Sequence, residues 1–277
     1  MSMRIGVVVD ATCDLPETFY TGKGLGLLPI RIQADNAVFA DLRKRDETQA
    51  FYREHAETDA AKFESTPPSV DEICEVFLKR LVIDYDFVFC ITVAAKRSPT
   101  FQNVSAAALQ VLNQYRPYRT QAGIKTPFAM RVIDGQSFFS GTGALVAETV
   151  RMIEQGIGAH EIRLRIESLA PKICIHMVPQ NLSQLRARGF KKGERTLSWG
   201  DSFKSAALAL GSALSVHPVI RIHDDHEGAA AVQMSQESAM QRLFAHAVEQ
   251  ILKGQLLSPQ ICMSYSGNTD DVQNNPG

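Results

Sequence analysis

The stretch Ile5-Gly6-Val7-Val8-Val9-Asp10, followed directly by Ala11-Thr12-Cys13-Asp14-Leu15-Pro16, decides the fold. A β-branched run that ends in acidic, hydroxyl and proline residues predicts a strand over residues 4–9 and then a polar loop. Strands without polar alternation are typical of parallel sheets that helices cover on both faces. The run is too short for a signal peptide and no small-residue cleavage site follows it, so we interpret it as the first strand of an α/β domain.

Similar apolar runs recur through the first half of the chain and alternate with amphipathic stretches. They predict strands at residues 27–32, 87–93 and 130–133. Ser69-Val70-Asp71-Glu72 has the spacing of a capping box, which predicts that a helix starts there. Further helices are predicted over residues 104–115 and from near Thr142 to before Gly156. Strands that alternate with helices predict βαβ units with right-handed crossovers.

The second half of the chain mixes hairpin and helix patterns. The turn Asp224-Asp225-His226-Glu227-Gly228 between two apolar runs predicts a β-hairpin. We predict strands at residues 172–178, 216–222, 229–234 and 260–265, and helices at residues 182–188, 202–214 and 237–252. The expected architecture is an N-terminal parallel-sheet α/β/α domain over residues 1–156 and a C-terminal mixed-sheet α/β domain over residues 157–277. We expect a helix after the last strand, so the end at Gly277 points to a truncated second domain or a disordered remainder.

Charge and cysteine content exclude several classes of protein. The net charge is −1 over 277 residues, which gives no electrostatic reason to expect nucleic acid as a partner. No apolar run approaches the length of a membrane span, so no integral membrane segment is expected. The five cysteines are scattered and form no Cys-x-x-Cys pair, which argues against a disulfide framework or a zinc site and favours a reducing cytoplasm. The turn His223-Asp224-Asp225-His226 lacks a third group of ligands, so no metal is expected.

Polar segments follow three of the predicted strands, at Asp10-Ala11-Thr12, at Ser98-Pro99-Thr100 and at Asp134-Gly135-Gln136-Ser137. In an open parallel sheet, ligands bind beyond the carboxyl ends of the strands. Ser98 and Thr100 precede a predicted helix, whose N-terminus favours an anion, and their hydroxyls add donors without adding charge. These residues suit a carboxylate or a phosphate. They are also the usual caps of helices, so a purely structural role stays open.

The order of these motifs resembles that of the DegV family. Residues 10–16 resemble the family's D-S-x-x-D-L-P, and Ser65-Thr66-Pro67-Pro68-Ser69 stands where the family has T-S-Q-P-S. Ser98-Pro99-Thr100-Phe101-Gln102-Asn103 stands at S-G-T-Y-Q-S, residues 132–134 at V-I-D, and His217-Pro218-Val219-Ile220 at K-P-I-L. The resemblance spans nearly the whole chain, and its specificity comes from the order of the motifs.

The resemblance implies two α/β domains with a long-chain fatty acid in an apolar tunnel between them. Members of the FakB-like type deliver this fatty acid to a separate kinase, which phosphorylates its carboxylate. The isolated chain is then a binding subunit without a cofactor. The expected carboxylate-binding residues are Ser65, Thr66, Ser98, Thr100 and Tyr265. Behind them we expect supporting roles for Asp10, Thr12 and Asp134.

Two departures from the family pattern fall in this expected site. Tyr265 replaces the histidine of a late H-A-G motif, which removes a group able to carry positive charge and keeps a hydroxyl donor. Pro99 replaces a glycine, which removes one backbone N–H from the expected anion-binding loop.

Two other functions are weighed against fatty-acid binding. One is a hydrolase or phosphotransferase that uses Asp10, Asp14 or Asp134 with the nearby hydroxyls. It ranks lower, because no base–nucleophile pair or full metal set is evident. The other is a regulatory or scaffold module in which the ligand is only structural.

Overall fold

The computed structural model describes residues 3–34, 37–55, 62–179, 216–223 and 226–266. The chain divides into two compact units, Met1–Pro171 with Gln260–Ser264 and Lys172–Pro259 with Tyr265–Gly277. The predicted α/β class is confirmed: a parallel sheet with helices forms the core of the first unit. The described part of the second unit's sheet is antiparallel.

The parallel sheet of the first unit has the order β2-β1-β6-β7. Its strands are β1 (Ile5–Asp10), β2 (Gly26–Leu28), β6 (Phe87–Thr92) and β7 (Ala129–Asp134). Val88 to Ile91 of β6 and Val7 to Val9 of β1 are buried, as central strands covered on both faces require. The strands predicted near residues 4–9, 87–93 and 130–133 are therefore confirmed. Because they are parallel, the polar residues that follow them lie at the same end of the sheet, beyond the C-terminal ends of the strands.

The strand predicted over residues 27–32 is wrong as a single element, because the chain changes sheets at Pro29. β2 pairs with β1 in the parallel sheet, whereas β3 (Ile30–Ala34) enters a small antiparallel sheet with β4 (Ala37–Asp41) and β5 (Phe63–Thr66). Proline lacks the N–H that a continuous ladder needs. The order of the small sheet is β4-β3-β5.

Helices flank both sheets of the first unit. The capping box at Ser69 and Glu72 is confirmed, with Ser69 N–H donating to Glu72 Oε2 at 2.8 Å. The helix that it opens (Val70–Val76) continues through a π-helical turn (Phe77–Leu81) into a short last turn (Val82–Asp84). The helices of this unit are α1 (Glu17–Lys23), α2 (Arg45–Glu54), α3 (Val70–Val76), α4 (Val82–Asp84), α5 (Thr100–Gln121), α6 (Ser140–Glu154) and α7 (Ala159–Leu169). The helices predicted over residues 104–115 and 142–156 correspond to α5 and α6.

Helix α7 belongs to the first unit, so the division falls after Pro171, whereas the sequence places it near Gly156. The apolar residues Ile162 and Ile166 of α7 are fully buried. Burial of these side chains requires packing against a neighbour, and α7 packs against α6. Gly156 marks only the turn between these two helices and has a positive φ of 74°.

The described part of the second unit contains β8 (Ile175–Met177), β9 (His217–His223), β10 (His226–Gln233) and α8 (Gln236–Leu252). The hairpin of β9 with β10 and the helix predicted over residues 237–252 are confirmed. The strand predicted over residues 172–178 is shorter, because the 3₁₀ turn Ala170–Lys172 precedes it.

Residues 260–265 have no regular secondary structure, so the strand predicted there is wrong. A strand needs a ladder partner, and the described residues supply none for this segment. The helices predicted at 182–188 and 202–214 lie outside the described residues. Among the helices that the structure describes, none combines the length and the apolar character that a membrane crossing needs.

Candidate functional site

Asp10 joins the ends of two neighbouring strands. Its Oδ2 atom accepts a hydrogen bond of 2.7 Å from the Val93 N–H, just after β6, and its Oδ1 atom accepts one of 2.9 Å from the Thr12 N–H. The Thr12 hydroxyl donates to the same Oδ1 atom. The carboxyl group is fully buried, and this burial raises its pKa, although the three hydrogen bonds oppose the shift. Asp10 therefore fixes the loop after β1 to the loop after β6.

Ser98 and Thr100 form a hydroxyl pair at the start of α5. The Ser98 Oγ and Thr100 Oγ1 atoms are 2.8 Å apart, and the Thr100 N–H donates to Ser98 Oγ at 3.3 Å. Thr100 is fully buried, whereas Ser98 is half-buried. When Thr100 supplies both donors, they occupy the two lone pairs of the Ser98 oxygen and leave the Ser98 O–H to donate to another group.

Asp134 anchors the loop that follows β7. Its Oδ1 atom accepts hydrogen bonds from the Ala95 N–H at 3.0 Å and the Gln136 N–H at 2.9 Å. The Ala94 N–H also donates to the carbonyl of Ser137 at 2.9 Å. The loop after β6 is thus bonded on one side to the loop after β1 and on the other to the loop after β7.

The loop after β7 carries a strained aromatic residue. Phe139 has a φ of 49°, and its carbonyl accepts a hydrogen bond of 3.3 Å from the Asp14 N–H. Non-glycine residues adopt positive φ at an energetic cost and concentrate at binding and active sites. Its neighbour Phe138 lies beneath the guanidinium of Arg97, with 4.4 Å between the Arg97 Cζ atom and the ring centroid.

Ser65 and Thr66 end the edge strand β5, and both are exposed. Ser65 pairs with Ile32 and Thr66 with Arg31. Successive side chains of a strand point to opposite faces, so Ser65 shares a face with Phe63, and Thr66 points away from it.

The segment after β5 is bonded to the first turn of α5, because the Asn103 Nδ2 atom donates to the carbonyl of Pro68 at 2.9 Å. This bond connects the Ser65 segment to the helix that begins after Ser98. The sequence does not predict this hydrogen bond, since nothing in it pairs Asn103 with Pro68.

Arg43 connects the small sheet to the loop after β1. Its guanidinium donates to Asp14 and lies 3.8 Å from Asp41. Burial alone would lower the pKa of Arg43, but Asp14 and then Asp41 outweigh it, so the pKa is raised. The backbone φ of Arg43 is 55°. The sequence does not predict this residue, because its partners are distant along the chain.

The structure brings together Ser98 with Thr100 and Asp10 with Thr12. Asp134 lies beside the loop after β6, which carries Ser98. Tyr265 follows α8 in the second unit, outside any helix or strand, and is 36% exposed. Within the described ranges, no group of three or more histidine, cysteine, aspartate or glutamate side chains could hold a metal ion. Asp224 and Asp225 lie outside those ranges.

Comparison with known proteins gives one family. The model of the DegV family, which is described as uncharacterised, matches residues 4–275. A DegV domain-containing protein of Xanthomonas campestris pv. campestris is 40% identical over 275 residues, which cover 99% of this chain and 85% of the relative. A second one, from Xanthomonas axonopodis pv. citri, is 38% identical over the same shares of the two chains.

Solved structures have the same fold. A stearic acid-binding protein from Eubacterium ventriosum superposes with a TM-score of 0.67 at 19% identity, over 92% of this chain and 78% of that one. A DegV family protein from Thermus thermophilus, described by its fatty acid binding, gives a TM-score of 0.66 at 20% identity, over 89% of this chain and 78% of that one. From the family match over nearly its whole length, we conclude that the chain belongs to the DegV family.

Proposed function

We propose that this protein binds a long-chain fatty acid and holds its carboxylate beyond the C-terminal ends of the parallel strands. The observation that carries the proposal is the Ser98–Thr100 hydroxyl pair at the N-terminus of the 22-residue helix α5. The first N–H groups of a helix have no partner within it and attract an anion. Hydroxyls and amides can therefore bind a single carboxylate here without a metal.

The chemistry of Ser65 fits the same ligand. Its hydroxyl shares a face of the small sheet with Phe39 and Phe63, because Ile32 pairs with both Ser65 and Phe39. Phe51 of α2 stacks on Phe39 with 4.6 Å between ring centroids. These rings are half-buried, and a hydroxyl beside apolar rings is what an amphiphilic ligand requires.

Relatives of the same fold support this choice of ligand. Solved structures of the family include one from Ruminococcus gnavus with vaccenic acid and one from Eubacterium eligens loaded with heptadecanoic acid. A protein from Thermotoga maritima that is 26% identical over 110 residues is named a fatty acid-binding protein. Each buried methylene of such a chain contributes about 0.8 kcal/mol, so the tail drives binding and the head group fixes its orientation.

The proposed role of the bound fatty acid is presentation of its carboxylate to a separate fatty-acid kinase. Asp10, Asp14 and Asp134, the residues of the hydrolase or phosphotransferase alternative, each hold a neighbouring loop through hydrogen bonds or an ion pair. Nothing in these contacts favours their use as a catalytic base.

A kinase is expected to form acyl phosphate, trapped as a hydroxamate by hydroxylamine, only when it is mixed with this chain, ATP and fatty acid. Hydroxamate formation by the chain alone would contradict the binding-subunit role.

Mass spectrometry of the purified, denatured protein tests the first step. We expect co-purified fatty acid, and we expect the delipidated protein to take up oleate. Ser98→Ala should weaken oleate binding by about tenfold, because it removes a hydrogen bond to a charged group. Ser168→Ala is the matched control, since the Ser168 hydroxyl donates only within α7, to the carbonyl of Arg165. A lipid-free protein that takes up neither palmitate nor oleate would overturn the proposal.

A further inference from the structure

A cavity of about 500 Å³ lies where α5 ends and the chain turns towards β7. Its volume is within the range of small-molecule sites. Arg116, Arg119 and Lys125 line it, and none of the described residues in its wall is acidic. At 1.5 Å of rise per residue, Arg116 lies about 24 Å along α5 from Thr100. The cavity is therefore at the opposite end of the helix from the proposed carboxylate site.

The two exposed cations of the cavity wall are Arg116 and Lys125. Neither of them forms an ion pair within the described part of the chain. Exposed cations elsewhere in this unit do find carboxylates, as Lys23 does with Glu154 and Arg31 with Glu72. The charges of Arg116 and Lys125 are therefore not neutralised by a neighbouring side chain.

Arg119 adds a third charge from behind the wall. Its Nη1 atom donates to two backbone carbonyls, and its Nη2 atom donates to Asp86 Oδ1 and to the Thr126 hydroxyl. Both Nη atoms are thus bonded within the protein, so Arg119 acts on the cavity through its charge. Asp86 neutralises this charge only in part, because the same carboxylate also pairs with Arg4 at 3.2 Å.

The C-terminal end of α5 does not need these cations as caps. The carbonyls of Tyr118, Arg119 and Thr120 accept backbone hydrogen bonds of 3.1, 2.8 and 3.0 Å from the N–H groups of residues 122, 124 and 123. Cationic side chains can fill this role at helix ends, but here the backbone does so. The helix dipole places about half a negative charge at this end, which is less than the full charges of Arg116 and Lys125 together.

We propose that this cavity binds a small molecule that carries a polyphosphate group, with Arg116 and Lys125 as its contacting residues. The two cations come from different segments, α5 and the turn before β7, so they favour a ligand with several negative charges over a single carboxylate. A guanidinium binds two phosphate oxygens side by side, and an ammonium binds as a point charge. The half-buried Tyr115 ring also lines the cavity and offers an apolar wall to the base of a nucleotide. This site is independent of the proposed fatty-acid binding.

Isothermal titration of the delipidated full-length protein with inorganic pyrophosphate and with ATP tests the site. We expect one binding site per chain, and the tighter of the two probes identifies an inorganic or a nucleotide source of the polyphosphate. Arg116→Gln and Lys125→Gln should each weaken binding by about tenfold, because each removes a charge-assisted hydrogen bond. Both side chains are exposed, so the variants are expected to fold.

Arg53→Gln is the matched control, since it removes the same charge from an exposed position of α2. It should change the affinity for either probe by less than about twofold. Equal weakening in all three variants would overturn the inference in favour of general electrostatics, and a wild-type protein that binds neither probe would overturn it outright. Oleate binding should be unchanged in Arg116→Gln and Lys125→Gln, and its loss would contradict two separate sites. A wild-type protein that binds pyrophosphate but no oleate would overturn only the proposed function.

Discussion

Arg119 Nη2 on α5 lies 2.6 Å from Asp86 Oδ1, and the Arg119 side chain is only 2% exposed. The Arg119 Nη1 atom also donates to the carbonyls of Val82 and Tyr85, each at 2.7 Å. Arg4 contacts the same carboxylate from the start of β1 at 3.2 Å. One buried guanidinium therefore joins the C-terminal half of α5 to the turn that leads into β6.

Asp86→Asn should lower the free energy of unfolding by about 3 kcal/mol, because it leaves a buried guanidinium without its charged partner. The ion pairs, first with Arg4 and then with Arg119, hold the pKa of the Asp86 carboxyl well below its usual range. A depressed pKa contributes stability above the unfolded value of about 3.9 and loses it as the pH falls below that value. Urea unfolding at pH 7 and pH 3 measures both effects, and the variant should show a shallower loss in acid.

Asp84→Asn is the control for this change. Asp84 forms an exposed ion pair with Arg80, and the Arg80 side chain is 78% exposed. Its loss should cost less than about 0.5 kcal/mol. Equal costs for the two aspartates would contradict a special role for the buried pair.

Ser65→Ala should weaken oleate binding more than Thr66→Val, because the two side chains point to opposite faces of β5. The apolar rings of Phe39, Phe51 and Phe63 lie on the Ser65 face, whereas Thr66 lies beside Arg31. Loss of one hydrogen bond to a carboxylate predicts a difference of about tenfold in affinity. Isothermal titration of both variants measures it, and a larger loss in Thr66→Val would place the ligand on the other face.

Gly135→Ala should destabilise the first unit by about 2 kcal/mol and weaken ligand binding, since overpacking displaces the backbone. A Cβ atom at Gly135 would lie 2.5 Å from the carbonyl oxygen of Thr92, closer than real contacts allow. Relief of this clash must move the loop that Asp134 anchors. Thermal unfolding and oleate titration check the two effects.

Gly22→Ala offers the opposite case. A Cβ atom there meets no heavy atom within 4 Å, and the residue lies within α1. It should raise stability by about 0.5 kcal/mol, because alanine loses less backbone entropy in a helix than glycine does. A destabilised Gly22→Ala variant would show that glycine substitutions are harmful here for reasons other than the clash.

Acid should loosen the sheet of the second unit through His176. Its ring centroid lies 4.4 Å from that of His246, it faces Arg221 across β8 and β9, and Cys174 Sγ lies 3.9 Å from its Nδ1 atom. Burial, then His246 and Arg221, lower the pKa of His176 to about 4. A lowered pKa means that stability is fully present above about pH 6.5 and is lost as the pH falls through 4.

Hydrogen exchange in β8 and α8 measures this effect between pH 7 and pH 4.5. His176→Phe should remove about 1 kcal/mol of the acid-dependent loss, a modest value because the ring is half-buried. His160→Gln, at an exposed position of α7, should leave the pH profile unchanged. An identical pH profile in wild type and His176→Phe would rule out His176 as the acid-sensitive group.

Elements whose formation depends on neighbouring residues can be predicted from local sequence patterns. The apolar runs of β1, β6 and β7 and the capping box at Ser69 carry their signal within a few residues, and the sequence predicts all four. Strand pairing is not local, so the sequence predicts one strand for the run that contains Pro29, although its two halves join different sheets. The apolar alternation of residues 260–265 likewise resembles a strand but finds no ladder.

The candidate site divides in the same way. Asp10, Ser98 and Asp134 could be predicted because the carboxyl ends of parallel strands meet at one edge. Arg43 and Phe138 could not be, since their contacts with Asp14 and Arg97 bring together residues from different loops. The resemblance to a family supplied the choice of ligand, which hydroxyls at a helix N-terminus cannot distinguish from a phosphate.

The hydrogen bond from Val93 to Asp10 joins residues 83 positions apart, and it has a consequence for biosynthesis. β1 can pair with β2 as soon as residues 26–28 have left the ribosome, but its other edge must wait for β6. During that interval an apolar strand presents unpaired backbone groups, the state most prone to aggregation in a nascent chain. Molecular chaperones that cover extended apolar segments should therefore engage this protein early, and release should coincide with the docking of β6.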